Sequence, residues 1–499
     1  MGNAQRTFFI ENLGCPKNAV EGEGMAEQLA RAGYAAVDGA ADADVVIVNT
    51  CSFIRPAQEE SIDRLFHYLG RRRAGQKVVA AGCLAERYGE ALSQDMPELD
   101  GILGTRRWFE IDRLVGEIER GARPCWHGAD PAADPTFRRQ ADGPTAYVKI
   151  AEGCNMSCTF CAIPGFKGAQ RSKLPAEIIR EIRELVDGGV REVILVSQNT
   201  TAYGQDLVGA TPAPSERGTT LARLLEQICD GVPDLPWLRF HYCYPGWVND
   251  QLLQTMARLS QVVKYLDIPL QHAHPDVLRA MNRPRDVEHV KAVLARAREL
   301  MPELALRTTF IVGFPGETAA HFAAVLRFME AVQFDHAGVF PYFAEEGTPA
   351  ASLPGQVSDG VKQRRKKRAL EVQQGVSLAR NQTFVGQELE VLVEGKAGET
   401  PATVSLAPGG LAPGSAGLGV PERLIGRTFR DAPEVDGFVV FRGRAERGDF
   451  VRVRVDGAGP YDLFGDQVGL VPEVPEVPRG VTGPKQRFGL KSLPVLQPR

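Results

Sequence analysis

An α/β fold in three parts is what this sequence predicts: an N-terminal doubly wound α/β domain, a central partial (β/α)6 barrel and a small C-terminal β-barrel. Short apolar runs alternate with amphipathic helical patterns up to about residue 120, the rhythm of a parallel sheet covered by helices. Six further strand-and-helix units follow between 144 and 376, enough for an incomplete barrel. From 377 to 470 the pattern shifts to brief β-rich runs punctuated by Gly and Asp, at the size of an OB-like barrel.

At 499 residues the chain is too long for one ordinary core. A net charge of -4 gives no overall attraction to nucleic acid, so any RNA contact must come from a local patch. Residues 1–6 lack an apolar signal core, Arg6 stands where a myristoylation motif needs Ser or Thr, and no apolar run reaches membrane-spanning length. The expectation is a soluble, cytoplasmic protein with no membrane partner. Nine cysteines in such a chain speak for metal or redox chemistry rather than a disulfide framework.

Within the first domain, 5–120, strands are expected at 7–13, 45–48 and 77–81, and helices at 25–32, 57–69 and 111–118. Cys15, Cys51 and Cys83 each stand just past one of those strands. Ligands of an open parallel sheet bind outside the carboxyl ends of its strands, so three sulfurs placed this way converge on one edge, as an iron-sulfur cluster needs. A lone thiol is more commonly a small buried hydrophobe. Gly14 and Gly82 would let the backbone approach a bulky inorganic core. Of the remaining cysteines, Cys125 reads as linker, Cys229 as helix core and Cys243 as strand core. The linker itself is 121–143, rich in Pro, Ala, Gly and Asp.

The central part, 144–376, offers strands at 146–151, 193–197, 238–242, 265–268, 307–312 and 337–342, with helices notably at 176–187, 250–259, 287–300 and 320–332. Chemistry in such barrels sits at the carboxyl ends of the strands. The first strand runs straight into Cys154, Cys158 and Cys161, spaced Cys-x3-Cys-x2-Cys. Three thiolates hold one side of a cubane iron-sulfur cluster and leave one iron open, as catalytic zinc sites leave a position free. A structural zinc loop calls for four Cys or His ligands in paired spacing, and no histidine falls between Pro144 and Phe240. Phe160 and the apolar Ala162, Ile163 and Pro164 would shield a cluster from water.

This spacing resembles that of the radical S-adenosylmethionine (SAM) superfamily. The resemblance implies that SAM chelates the open iron through its amino and carboxylate groups and is split to methionine and a 5'-deoxyadenosyl radical. Polar or glycine-rich strand ends at 197–200, 267–272 and 313–318 face the same mouth and suit the rest of SAM, although His272 reads equally well as a structural histidine. The basic run in 361–374 reads as a solvated helix face more than a partner patch.

In the last part, strands are expected at 388–393, 438–441 and 450–455, a flexible insertion at 396–421, and a disordered proline-rich tail at 471–499. Between 378 and 470 there are 10 Lys plus Arg against 13 Asp plus Glu. That balance suits a basic protein partner, as ribosomal proteins tend to be, better than RNA.

Taken in order, the three parts resemble the radical SAM methylthiotransferase family up to Leu470. The segments Leu13-Gly14-Cys15-Pro16-Lys17-Asn18, Asn49-Thr50-Cys51-Ser52-Phe53-Ile54, Tyr244-Pro245-Gly246 and Asp267-Ile268-Pro269-Leu270-Gln271-His272-Ala273 are similar to the RimO branch, which modifies an aspartate of small-subunit ribosomal protein S twelve. The tRNA-modifying MiaB branch, the alternative, typically has Gly-Cys-Gln-Met-Asn at the first cysteine. The resemblance implies an N-terminal methylthiotransferase domain, a radical SAM core barrel and a TRAM-like β-barrel. It implies two 4Fe-4S clusters, an auxiliary one on Cys15, Cys51 and Cys83 and a radical SAM one on Cys154, Cys158 and Cys161. SAM then serves as radical source and methyl donor, a hydrogen leaves the β-carbon of the aspartate, and β-methylthioaspartate forms. An electron donor is a further implied partner, and tRNA is one only under the alternative. Two departures stand out: Lys167 in Phe166-Lys167-Gly168, where relatives often have Arg, and the acidic, interrupted barrel with its long tail.

Overall fold

The computed structural model describes residues 5–128, 137, 141, 143–207, 219–397 and 422–471. Most of the insertion expected at 396–421, nearly all of the tail at 471–499 and much of the linker at 121–143 lie outside the described residues.

The first domain is a parallel six-stranded sheet of order β2-β1-β3-β4-β5-β6. Its strands are β1 (Thr7–Asn12), β2 (Ala35–Ala36), β3 (Val45–Thr50), β4 (Lys77–Gly82), β5 (Gly101–Gly104) and β6 (Cys125–Trp126), and its helices α1 (Pro16–Arg31), α2 (Arg55–Arg71), α3 (Cys83–Asp95) and α4 (Ile111–Glu119). Strand β3 is buried along its whole length, which explains its unbroken Val-Val-Ile-Val run. Two expectations need correction. Cys125 is not linker: its strand pairs with β5 at the sheet edge. Helix α1 starts at Pro16, just after Cys15, rather than near Met25; Pro fits the first helical turn. Its early turns hide from a periodicity reading because Lys17, Asn18 and Glu21 are buried polar residues. Gly22 and Gly24 let it press closely, since a Cβ there would lie 1.9 Å from Asn12 Oδ1 and 2.3 Å from the Trp108 ring.

The central part carries β7 (Thr145–Lys149), β8 (Ala151–Glu152), β9 (Arg171–Ser172), β10 (Glu192–Val196), β11 (Trp237–Phe240), β12 (Tyr265–Asp267), β13 (Ala305–Val312) and β14 (His336–Pro341). Its helices are α5 (Ile163–Lys167), α6 (Pro175–Asp187), α7 (Thr219–Gly231), α8 (Asp250–Arg258), α9 (Pro275–Ala280), α10 (Val287–Leu300), α11 (Ala319–Val332) and α12 (Asp359–Gln382). Two three-stranded parallel sheets, β7-β10-β11 and β12-β13-β14, meet at a single bridge between Leu238 and Val262. Together they make the expected six-stranded partial barrel, with one continuous core of Leu, Ile, Val and Phe between strands and helices. Cys229 is buried on α7 as expected. Cys243 is buried but stands past the end of β11, in the loop that follows it, rather than in a strand. Helix α12 runs straight through the division expected at 376/377.

The last part is a closed barrel, β15-β16-β17-β19-β18, of β15 (Glu388–Lys396), β16 (Glu422–Arg427), β17 (Val439–Gly443), β18 (Phe450–Ala458) and β19 (Leu463–Leu470). It docks against the amino ends of the central strands. Arg427 Nη2 reaches Glu192 on β10 at 2.6 Å, Tyr265 O–H donates to Asp436 at 2.6 Å, and Arg430 pairs with Asp335 at 2.8 Å. Among the described residues, the acid excess read from the sequence is therefore only partly on the outer face. Asp431, Asp436 and Asp462 are turned inward, while Arg423, Arg442, Arg444, Arg447, Arg452 and Arg454 are exposed against Glu388, Glu390, Glu446 and Asp456. In the basic run on α12, Lys362 pairs with Asp359, Arg365 with Glu317 and Arg368 with Glu371, while Arg364, Lys367 and Arg368 are exposed.

Candidate active site at the barrel mouth

Cys51 and Cys83 directly follow β3 and β4, and Cys15 follows β1 after Leu13 and Gly14. Asn18, one turn into α1, gathers the three strand ends. Its Nδ2 donates to Leu13 O at 3.0 Å and Thr50 O at 2.9 Å, and its Oδ1 accepts from the Cys83 thiol at 3.4 Å. The Cys51 N–H donates to Ser61 Oγ at 3.0 Å. Gly14 has φ +88°, and a Cβ there would lie 2.7 Å from Cys51 Sγ, so only glycine lets these two loops close together. Burial, with Cys15 beside it, pushes the Cys51 thiol up to about 12. Burial likewise lifts Cys83 well above an ordinary thiol. Loading a metal here must displace protons.

Beyond β8, the loop of Cys154, Cys158 and Cys161 is held from three sides. Cys154 N–H donates to Gly168 O at 3.0 Å. Thr159 Oγ1 donates to Ala280 O at 2.7 Å, and Asn282 Nδ2 to Ser157 O at 2.9 Å. Phe160 packs against the apolar group of Val277, Met281, Phe314 and Tyr342. Burial raises the Cys154 thiol and pushes Cys161 up to about 12. Gly153 has φ +77°, and a Cβ would stand 2.2 Å from Ala169 O. Gly153→Ala is accordingly expected to cost about 1–3 kcal/mol and to lower iron uptake on reconstitution. Thermal unfolding and iron analysis check this, and unchanged values refute the close approach.

A short stretch of chain joins the two trios. Lys17, two residues after Cys15, sets its Nζ 3.8 Å from the centre of the Tyr242 ring. Tyr244 carries Arg283 over its ring at 4.3 Å, and Arg283 Nη1 lies 3.9 Å from Cys158 Sγ. Tyr242 and Tyr244 are only about 7 Å of chain apart, so contacts through Lys17, Tyr242, Tyr244 and Arg283 connect the surroundings of the two trios. Tyr242 is held at φ +64°. Its N–H donates to Asp267 Oδ2 at 3.0 Å, and Asp267 is paired with Arg307 at 3.0 Å. Arg307 reaches Asp436 of the small barrel at 3.3 Å, so that domain supports the mouth through the barrel interior.

Beneath the trios lies a buried ionic network that the sequence did not reveal. Lys167 binds Glu21 at 2.8 Å and Glu152 at 3.2 Å, Lys149 binds the same two carboxylates at 3.2 and 2.7 Å, and Thr105 O–H donates to Glu21 at 2.6 Å. It fastens α1 to β7, β8 and α5 and gives Lys167 its role. Burial opposes the charge on Lys167, but Cys83, Glu152 and Glu21 outweigh it and hold the ammonium well above its usual pKa. Glu152, despite burial, is held below the usual carboxylate range by Lys149 and Lys167. The only sequence signal was Lys, Glu and Lys flanking the Cys154 loop. A second clamp closes the domains above, where Glu345 accepts from Arg55 N–H at 2.8 Å, Gln58 at 2.8 Å and Arg87 at 3.2 Å.

Both trios fit an iron-sulfur core better than a single ion. Among the described residues, only His274, Asp276 and His321 bring three ligand atoms all within 4.8 Å of one another. The thiol trios are wider, whereas tetrahedral zinc with bonds of ~2.3 Å sets its sulfurs about 3.8 Å apart. The two histidines use their Nδ1 atoms to accept helix-capping N–H groups. For SAM the mouth holds buried polar atoms with no protein partner among the described residues, Gln198 Oε1, Asn199 Nδ2 and Tyr342 O–H. His272 Nδ1 accepts from His274 N–H at 3.0 Å, its Nε2 lies 3.4 Å from Glu317, and burial lowers its pKa.

Residues 148–329 match the Radical SAM superfamily, 7–104 the Uncharacterized protein family UPF0004, and 419–468 the TRAM domain. The fold is similar to that of the radical S-adenosylmethionine methyltransferase TsrM from Kitasatospora setae, with a TM-score of 0.50 and 15% identity, covering 70% of this chain and 74% of that one. Among relatives, the ribosomal protein uS12 methylthiotransferase RimO of Roseiflexus sp. (strain RS-1) is 44% identical, covering 92% of this chain and 97% of its own length. That of Herpetosiphon aurantiacus is 42% identical, covering 92% and 100%. With such identity sustained through all three parts, the chain belongs to the RimO family of radical SAM methylthiotransferases.

Proposed function

We propose that this protein methylthiolates ribosomal protein uS12, placing the group on the β-carbon of an aspartate, with SAM as both radical source and methyl donor. The observation that carries this reading is the run of contacts from Lys17 beside Cys15, through Tyr242 and Tyr244, to Arg283 beside Cys158, which links the two thiol trios in a chain whose relatives are uS12 methylthiotransferases. Cys154, Cys158 and Cys161 would hold one 4Fe-4S cluster and Cys15, Cys51 and Cys83 a second. When bound, the first supplies the electron that cleaves SAM and the second supplies sulfur. Its partners are uS12, free or in the ribosome, and an electron donor.

The protein's own residues bind and orient. Gln198, Asn199 and Tyr342 offer polar atoms to SAM at the strand ends. Arg283 places a cation beside Cys158 and so offsets thiolate charge. Lys149, Lys167, Glu21 and Glu152 fix the angle between the two domains, on which the distance between the trios depends.

Mass spectrometry of uS12 and of tRNA, from cells with and without this protein, tests the proposal. The expected result is a uS12 peptide heavier by one methylthio group only when the protein is present, with tRNA unchanged. Unmodified uS12 together with altered tRNA adenosine would overturn it in favour of a MiaB-type activity.

A further inference from the structure

We infer that Lys17 is the residue that recognises the side-chain carboxylate of the substrate, and so makes the site select an acidic residue over its amide. The inference rests on the functional proposal above and deepens it. Its starting point is a charge imbalance at the mouth. Lys149 and Lys167 share Glu21 and Glu152, and Lys173 is paired with Glu181 at 3.0 Å. Lys17 is buried too, at 9% exposure against 2–5% for those three. Yet among the described residues its Nζ has no carboxylate at ion-pair distance and no hydrogen-bond partner; it lies over the face of Tyr242, with Cys15 and Glu152 acting on it only from further off.

A ring face offsets part of the cost of burying an ammonium, but the desolvation penalty of an unpaired ion is larger. An ion kept in that state is poised for a counter-ion that arrives later. Its location narrows what that counter-ion is. Lys17 projects from the start of α1, beside Cys15, onto the segment Tyr242 to Tyr244 that connects the surroundings of the two trios. A substrate carbon that first loses a hydrogen and then gains sulfur must sit between the trios. A carboxylate one bond from such a carbon falls within reach of the Lys17 ammonium. Arg283, another cation at the mouth, uses its Nη atoms on Cys158 and the Pro269 carbonyl and lies over Tyr244, and Lys362 pairs with Asp359. An amide in place of the carboxylate would leave Lys17 buried without its counter-charge, the kind of mismatch that gives strong discrimination.

The experiment compares binding of purified uS12 with that of uS12 carrying Asn in place of the target Asp. Anaerobically prepared full-length protein is used, in wild-type, Lys17→Met and Lys17→Arg forms, with iron content measured in each. Wild type is expected to bind the Asp form on the order of tenfold or more tighter than the Asn form. Lys17→Met is expected to bind both alike, and Lys17→Arg to keep part of the preference. A Lys17→Met protein that still prefers Asp by the wild-type factor overturns the inference. If that protein has also lost iron, Lys17 serves instead as a counter-charge to the Cys15, Cys51 and Cys83 site, which equally overturns it. Failure of wild-type enzyme to modify uS12 at all is a separate outcome that strikes the functional proposal itself.

Discussion

Cys158→Ala is expected to abolish formation of 5'-deoxyadenosine and of methylthiolated uS12 together, whereas Cys51→Ala is expected to keep much of the first and lose the second. The packing makes the comparison clean. Cys158 sits in a loop whose shape is fixed by Thr159, Asn282 and the Cys161 N–H to Cys158 O bond at 3.1 Å, none of which uses the thiol. Cys51 is 6% exposed and held through its backbone by Ser61. Alanine at either position removes the sulfur and leaves these bonds in place; at Cys158 it also removes the contact of Arg283 with Sγ. Wild-type protein reconstituted anaerobically is expected to hold about eight irons, and each variant fewer. Chromatography of the nucleoside, mass spectrometry of uS12 and iron analysis check all three. Methylthiolated uS12 from Cys51→Ala at wild-type yield would remove the sulfur-donating role from the first domain.

How far the sequence foretold this site follows from the kind of signal each residue leaves. The six cysteines were legible because thiols at strand ends and at Cys-x3-Cys-x2-Cys spacing have few other uses, and because strand periodicity located the ends. Lys17, Asn18 and Glu21 were not legible: their helix begins with buried polar side chains facing another domain. An amphipathicity reading assigns such residues to a loop. Lys149, Glu152 and Lys167 were visible as charges, but their pairing with Glu21 spans more than a hundred residues of chain and depends on how two domains dock. The small barrel shows a related limit. Its charge count was right, but it did not describe the outer face, because buried acids such as Asp436, paired with Arg307, and Asp431, which accepts from Thr428, are turned inward. Charge counts along a chain predict surfaces only where the charges stay on the surface.

The same buried pairs carry the largest expected effect on stability. Glu192, 0% exposed, binds Arg239 Nε at 2.7 Å and Arg427 Nη2 at 2.6 Å, and both arginines are themselves 0% exposed. Glu192→Gln removes the charge and leaves its shape. Arg427 then retains Glu394 at 2.6 Å, but Arg239 is left with the Phe429 carbonyl at 2.9 Å and the face of Tyr265. Breaking a buried pair by deleting one partner costs about 3–5 kcal/mol. The loss is expected at the junction of the central and small barrels, visible as an early unfolding transition in urea at pH 7. The pH dependence has a definite sign. Burial raises the carboxyl of Glu192, but Arg427 and Arg239 outweigh it and hold its pKa at about 2, below the ~4.3 of an unfolded glutamate. Its contribution is therefore fully present above about pH 4.3 and fades as pH falls toward 2. The gap between wild type and Glu192→Gln is expected to narrow over that acid range and to stay constant from pH 5 to 8. A variant as stable as wild type at pH 7, or a gap that widens in acid, would show that the Arg239, Glu192 and Arg427 arrangement does not hold the two barrels together.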